Sequence, residues 1–143
     1  LLSDPRDPSD SLIPPVYHQS NLQGVGLMVR VIDVPRIFRM LGERDFGGYS
    51  GTLRLTVEDS FLPENAGSTL VRFAGGHPQV VDEGPPDVEI RLDVAEFSSL
   101  LAGTVPFRRL HTYGLAEISD VDQIEAVDRI FAVQEPPVCT TWF

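Results

Sequence analysis

The residues of this chain best suited to chemistry stand together at its end. Glu135-Pro136-Pro137-Val138-Cys139-Thr140-Thr141-Trp142-Phe143 holds the single Trp and the single Cys of the 143-residue sequence. Pro136-Pro137 stiffens the approach into an extended backbone and forbids a helix. Such a strut carries two aromatic rings and a free α-carboxylate to a fixed place. Two readings stay open from the residues alone: Trp142 and Phe143 cap the domain's own core, or they insert into a neighbour. Cys139 has no cationic neighbour in sequence to stabilise a thiolate, which argues against a catalytic cysteine. His18, His77 and His111 have no carboxylate or cysteine at ligand spacing and read as structural or surface residues, so no metal site is expected. Asp82-Glu83 and Asp120-Val121-Asp122 read as solvated turns and caps, and no carboxylate pair is singled out for acid–base work. There is no HExxH, no CxxC, no Gly-x-Ser-x-Gly elbow and no phosphate-cradling glycine loop.

The bulk composition narrows the function classes. Eleven basic residues, all Arg, face 21 acidic ones, a net charge of −10. That balance disfavours nucleic acid, which needs its phosphates neutralised. It suits cationic or amine partners, or simply solubility. A lone cysteine forms no internal disulfide and fits a reducing, cytoplasmic setting. No apolar run approaches the length of a membrane span, and no signal peptide opens the chain. The first residue is Leu1, which suggests a piece of a longer or processed protein.

The elements that must position the tail follow from periodicity. Residues 1–24, with Asp4-Pro5, Asp7-Pro8 and Pro14-Pro15, read as a linker or an extended wrap; residues 25–143 read as the domain. Val25–Ile32 is almost continuously apolar and β-branched and predicts a buried strand. Asp33 caps a helix with Pro35 in its first turn and Ile37, Phe38, Met40 and Leu41 inward, running to about Glu43. Thr52–Glu58, Ser68–Ala74, Gln79–Asp82 and Val88–Leu92 predict strands, read as an antiparallel meander with one covered face. Asn65 and Gly67 suit positive φ in the turn between the first two of these. Asp93 and Glu96 form a capping box for a helix over Val94–Ala102, closed by Gly103. A short helix over Pro106–Tyr113 is closed by Gly114, and Leu115–Ile118 is a short apolar piece. A last helix spans Val121–Phe131 with Val121, Ile124, Val127, Ile130 and Phe131 inward. The fold class is α+β: a mostly antiparallel sheet of about five strands with helices across one face. Such a layer either opens a pocket for an apolar ligand or is ordinary core.

Several stretches taken in order resemble one family. Leu27-Met28-Val29-Arg30-Val31-Ile32-Asp33-Val34-Pro35, the turn Asp59-Ser60-Phe61-Leu62-Pro63-Glu64-Asn65-Ala66-Gly67, Asp87–Val94 with Leu100-Leu101-Ala102-Gly103, and the ending on Phe143 resemble the C-terminal domain of the enhanced intracellular survival acetyltransferases. The resemblance runs from about residue 25 to 143. It implies a sterol carrier protein-like fold, set behind missing N-terminal acetyltransferase domains that hold acetyl-CoA, with no cofactor in this domain itself. It also implies that the carboxylate of Phe143 takes the proton from an amine substrate in the full-length protein, with Trp142 in the substrate pocket. A homo-oligomeric full-length protein is expected. A stand-alone module binding a lipid or another apolar ligand is the alternative that the same resemblance leaves.

Overall fold

The sheet is built from strands that bury every second side chain. In the computed structural model of the chain, residues 28–135 are described, and residues 29–135 belong to one compact unit. Helix α1 (Val34–Met40) is followed by β1 (Gly51–Glu58), a 3-10 turn at Pro63–Asn65, β2 (Gly67–Ala74), β3 (His77–Val81) and β4 (Val88–Asp93). Then come α2 (Val94–Leu101), α3 (Phe107–Thr112), β5 (Ala116–Ile118), a second 3-10 turn at Val121–Gln123 and α4 (Ile124–Phe131). The strand order is β3-β2-β1-β4-β5. Leu53, Leu55 and Val57 of β1, Val71 and Phe73 of β2, and Val88, Ile90 and Leu92 of β4 point to one buried face, as the period of two requires. The helices cover that face with Val34, Phe38, Phe97, Leu100, Val127, Ile130 and Phe131, all buried. The α+β sandwich of sheet and helices is therefore as the patterning predicts.

The meander is not. Strand β4 pairs with β1 rather than β3, and in parallel, with Leu53 beside Val88 and Val57 beside Leu92. The other three pairings are antiparallel. The β3–β4 connection crosses the outer face of the sheet to reach β1. Gly84 lies above Leu70 and Arg72, which explains why outward-facing Leu70 is buried. Asp87 then locks the start of β4 beside the start of β1: its N–H donates to Thr52 O at 2.8 Å and its Oδ2 accepts from Thr52 N at 2.7 Å. An alternating strand has the same pattern beside either neighbour, so periodicity cannot choose the partner.

Four smaller corrections have local causes. The described part of Val25–Ile32 is not a strand; among residues 28–32 only Val31 is buried, and side chains rather than a neighbouring strand bond its backbone. Helix α1 stops at Met40, and Met40 is exposed rather than inward. Leu115–Ile118 contains a true edge strand, β5. The last helix begins as a 3-10 turn, so Val121 falls off the apolar stripe and is exposed. Both acidic N-caps are in place, Asp33 Oδ1 accepting from Arg36 N at 2.8 Å and Asp93 Oδ1 from Ala95 N at 2.9 Å, but Asp93 bonds Ala95 N instead of Glu96 N, so the capping box with Glu96 is not formed.

Candidate functional site

The predicted site residues Trp142 and Phe143, with Cys139, lie outside the described residues, as do His18 and the leader 1–24. The described chain leads toward the tail as far as Glu135. Helix α4 ends at Phe131, capped at Ala132. Gly103 has φ of +73°, and a Cβ there would collide with Val133, so the missing side chain makes the seat over which the chain passes. Gly47, φ +66°, gives Arg129 O a similar seat. The remaining candidates are dispersed. His77 Nδ1 bonds Gly42 O at 3.3 Å. His111 Nδ1 bonds Ala116 O at 3.2 Å, with its ring stacked on Phe107. Asp82 and Glu83 stand in the β3–β4 turn, and Asp120 Oδ1 caps Asp122 N at 3.0 Å. Among the described residues no group of three or more His, Cys, Asp or Glu is placed to hold a metal.

The space between sheet and helices, where an apolar ligand would sit, is filled. Phe38, Phe46, Phe73, Phe97 and Phe131 come from α1, the α1–β1 loop, β2, α2 and α4 and are all buried. Their ring centroids are 5.5–6.4 Å apart, within the range for favourable tilted and edge contacts. Arg44 closes one margin. Its guanidinium lies 4.7 Å from the Phe46 ring centroid and donates to Leu101 O at 3.2 Å, and burial pushes its pKa down. A shallow groove of about 540 Å³ lies elsewhere, between Pro35 and Arg39 of α1 and Arg54, Leu70 and Glu83. It carries both signs of charge. The rest of the outer face holds exposed pairs, Arg54–Glu89 at 3.1 Å and Arg91–Glu58 at 3.7 Å, of the sort that contributes little to stability.

The most organised polar cluster sits where the chain arrives at the fold. Asp59 has a fully buried carboxylate that accepts from Arg30 Nη2 at 2.6 Å, Leu62 N at 2.8 Å, Asn65 Nδ2 at 2.9 Å and Phe61 N at 3.0 Å. Burial pushes its pKa up; the donors from Asn65, Leu62 and Phe61, with the Arg30 charge, outweigh burial and hold it below the usual carboxylate value. Asn65 bridges to the arriving chain, donating to Val31 O at 3.0 Å and accepting from Val34 N at 3.2 Å. Ser98 completes the clasp, its Oγ accepting from Val31 N at 2.9 Å and donating to Val94 O at 2.6 Å. The turn reading of Asn65 missed this: it lies in a 3-10 turn, and its carboxamide does the bonding. One signal was available. Ser98 is a polar residue on the inward stripe of Val94, Phe97 and Leu101, a position that demands a partner.

The sequence pattern of the sterol carrier protein domain matches residues 36–140. The chain belongs to the sterol carrier protein domain family. No curated protein matches the chain at a significant level. Several solved structures, acetyltransferases, sterol carrier proteins and an alkylsulfatase, contain a part similar to this sterol carrier protein domain. Eis1 from Mycobacterium abscessus superposes with a TM-score of 0.60 at 26% identity, over 80% of this chain and 27% of that one. A GCN5-related N-acetyltransferase from Anabaena variabilis gives 0.59 at 24%, over 75% of this chain and 26% of that one. The sterol carrier protein domain 2 of Helicoverpa armigera gives 0.52 at 16%, over 72% of this chain and 91% of that one. The chain thus spans about a quarter of the acetyltransferase chains it matches. Among the described residues no helix is long and apolar enough to cross a membrane.

Proposed function

We propose that this sterol carrier protein domain is the C-terminal domain of an acetyl-CoA-dependent amine N-acetyltransferase of the enhanced intracellular survival family. In this reading it supplies its terminal carboxylate and part of the substrate pocket. The observation that carries the reading is the likeness to Eis1 over 80% of this chain but only 27% of that one. The aromatic filling of the sheet–helix space supports it against a carrier role. Acetyl-CoA belongs to the accompanying acetyltransferase body.

The role proposed for Phe143 is proton acceptance. An amine arrives as an ammonium and attacks only after losing a proton. An α-carboxylate ordinarily has a pKa of about 3.3–3.7, low for a base at neutral pH. Withdrawal from water beside the Trp142 and Phe143 rings would raise it toward the working range. A net charge of −10 favours approach of a cationic substrate. In the full-length enzyme, amidating the C-terminus or appending one residue after Phe143 should lower kcat by about 10²-fold or more, the scale of a positioned general base. Unchanged turnover would refute the role.

The second reading, a stand-alone lipid carrier, draws on the likeness to the Helicoverpa armigera domain, which this chain nearly spans. It requires the five core phenylalanines to vacate the interior.

A further inference from the structure

Residues 28–32 are tied to the fold as a bound peptide is tied to its receptor. Among the described residues none of their backbone groups bonds another backbone group. Val31 alone of the five is buried. Its N–H donates to Ser98 Oγ, its C=O accepts from Asn65 Nδ2, and Arg30 before it pairs with Asp59. Side chains thus read a short length of backbone, one branched apolar residue and one cation, the ingredients of peptide recognition. The reading groups are fixed without the segment. Ser98 Oγ donates to Val94 O at 2.6 Å, Asn65 Nδ2 donates to Asp59 Oδ2 at 2.9 Å, and Asp59 Oδ1 accepts from Phe61 N and Leu62 N. The site therefore keeps its geometry when the segment leaves, and a returning segment meets no ordering cost on the site's side. Ile32 and Asp33, both exposed, form the hinge. Beyond them Val34 is buried and bonded to Asn65 Oδ1, and Asp33 still caps α1 through Arg36 N.

We propose that Asp59, Asn65 and Ser98 form a peptide-binding site, filled in cis by Arg30-Val31 of the same chain and taken by Arg30-Val31 of a second copy when this arm lifts. Two observations choose a second copy. The segment seated in the site is the chain's own, so a second copy presents an identical ligand with identical bonds. The hinge lies between exposed residues, so the arm swings outward with α1 left packed. Exchange then changes contacts only at the hinge, the condition under which an element swaps between copies at low cost. The cis arm competes at high effective concentration. Exchange is accordingly favoured at high protein concentration or when the cis arm is damaged. The site is independent of the role proposed for Phe143.

Two measurements on the 143-residue chain test this. In amide hydrogen exchange, Val31 should exchange at least about 10²-fold faster than the amides of Leu53, Leu55 and Val57, the signature of an arm that lifts while the sheet stays closed. Equal protection overturns the proposal. In native mass spectrometry, a chain carrying Val31→Asp, with a damaged arm and a sound site, is mixed with one carrying Asn65→Ala and Ser98→Ala, with a sound arm and a damaged site. The mixture should give heterodimers several-fold more abundant than either homodimer. A synthetic peptide of residues 28–34 should disperse them. Absence of heterodimers overturns the exchange. So do Val31→Asp homodimers of equal abundance, which would place the contact elsewhere, and heterodimers that the peptide leaves intact. Should a variant fail to fold, wild-type chains labelled with light and heavy nitrogen replace the pair at high concentration. Mixed dimers that the peptide disperses then support the exchange; their absence, or their persistence with the peptide present, overturns it.

Discussion

Asp59 shows how one buried carboxylate organises the start of the fold. Four donors converge on it, and the Asn65 carboxamide carries the connection on to Val31 and Val34. Its folded pKa lies below the ordinary value, so the unfolded chain binds the proton more readily. Its contribution is therefore present above the unfolded value of about 3.9 and is lost as pH falls through the lower folded value. The thermal midpoint should accordingly drop between about pH 4 and the folded value. Asp59→Asn should flatten that segment of the profile and lower stability at neutral pH. A variant with the parent's slope would show that other carboxylates carry the acid sensitivity. Sequence alone marked Asp59 and Asn65 as turn residues; which donors they serve depended on Val31 arriving from 34 residues upstream of Asn65.

At the scale of elements, the helix closures were legible and the pairings were not. Gly103 was read as the end of α2, and it ends that helix with φ of +73°. Its further use, as a seat for Val133, belongs to the path of the tail. Gly103→Ala should cost about 1–2 kcal/mol from the left-handed backbone alone, and more because Val133 must move. The melting temperature should fall by several degrees, with the C-terminal segment more open to protease. No change in either would mean that Val133 is not held there. Strands β1 to β4 lie close to their expected spans because a period of two is a local property. The parallel β1–β4 pairing is set by the Asp87–Thr52 lock and the crossover above Leu70, contacts between segments that no local pattern joins. Val25–Ile32 misled for the opposite reason. Its composition matched a strand, but Ser98 and Asn65 had taken the backbone groups of Val31.

At the scale of the molecule, the filled interior bears on the choice between the two functional readings. A carrier needs an apolar void, and here five phenylalanines from five segments occupy the space. The 143-residue chain should therefore give no saturable signal with a fluorescent fatty acid, whereas Phe97→Ala, by opening a cavity next to Phe38 and Phe131, should create one at a stability cost of about 3–5 kcal/mol. Tight binding by the unaltered chain would restore the carrier reading.

By itself the sequence determined the fold class, most element spans, the two acidic caps and the glycine closures, because these depend on residues a few positions apart. It also marked the tail ending in Trp142 and Phe143 as the stretch to watch. Only the tertiary structure decided that the sheet is mixed, that residues around Val31 are held by side chains instead of strand pairing, and that one buried carboxylate, Asp59, gathers four donors. Each of these is a competition between distant partners for the same backbone groups and buried volume. Its outcome is set by which partners the whole fold brings within a few ångströms.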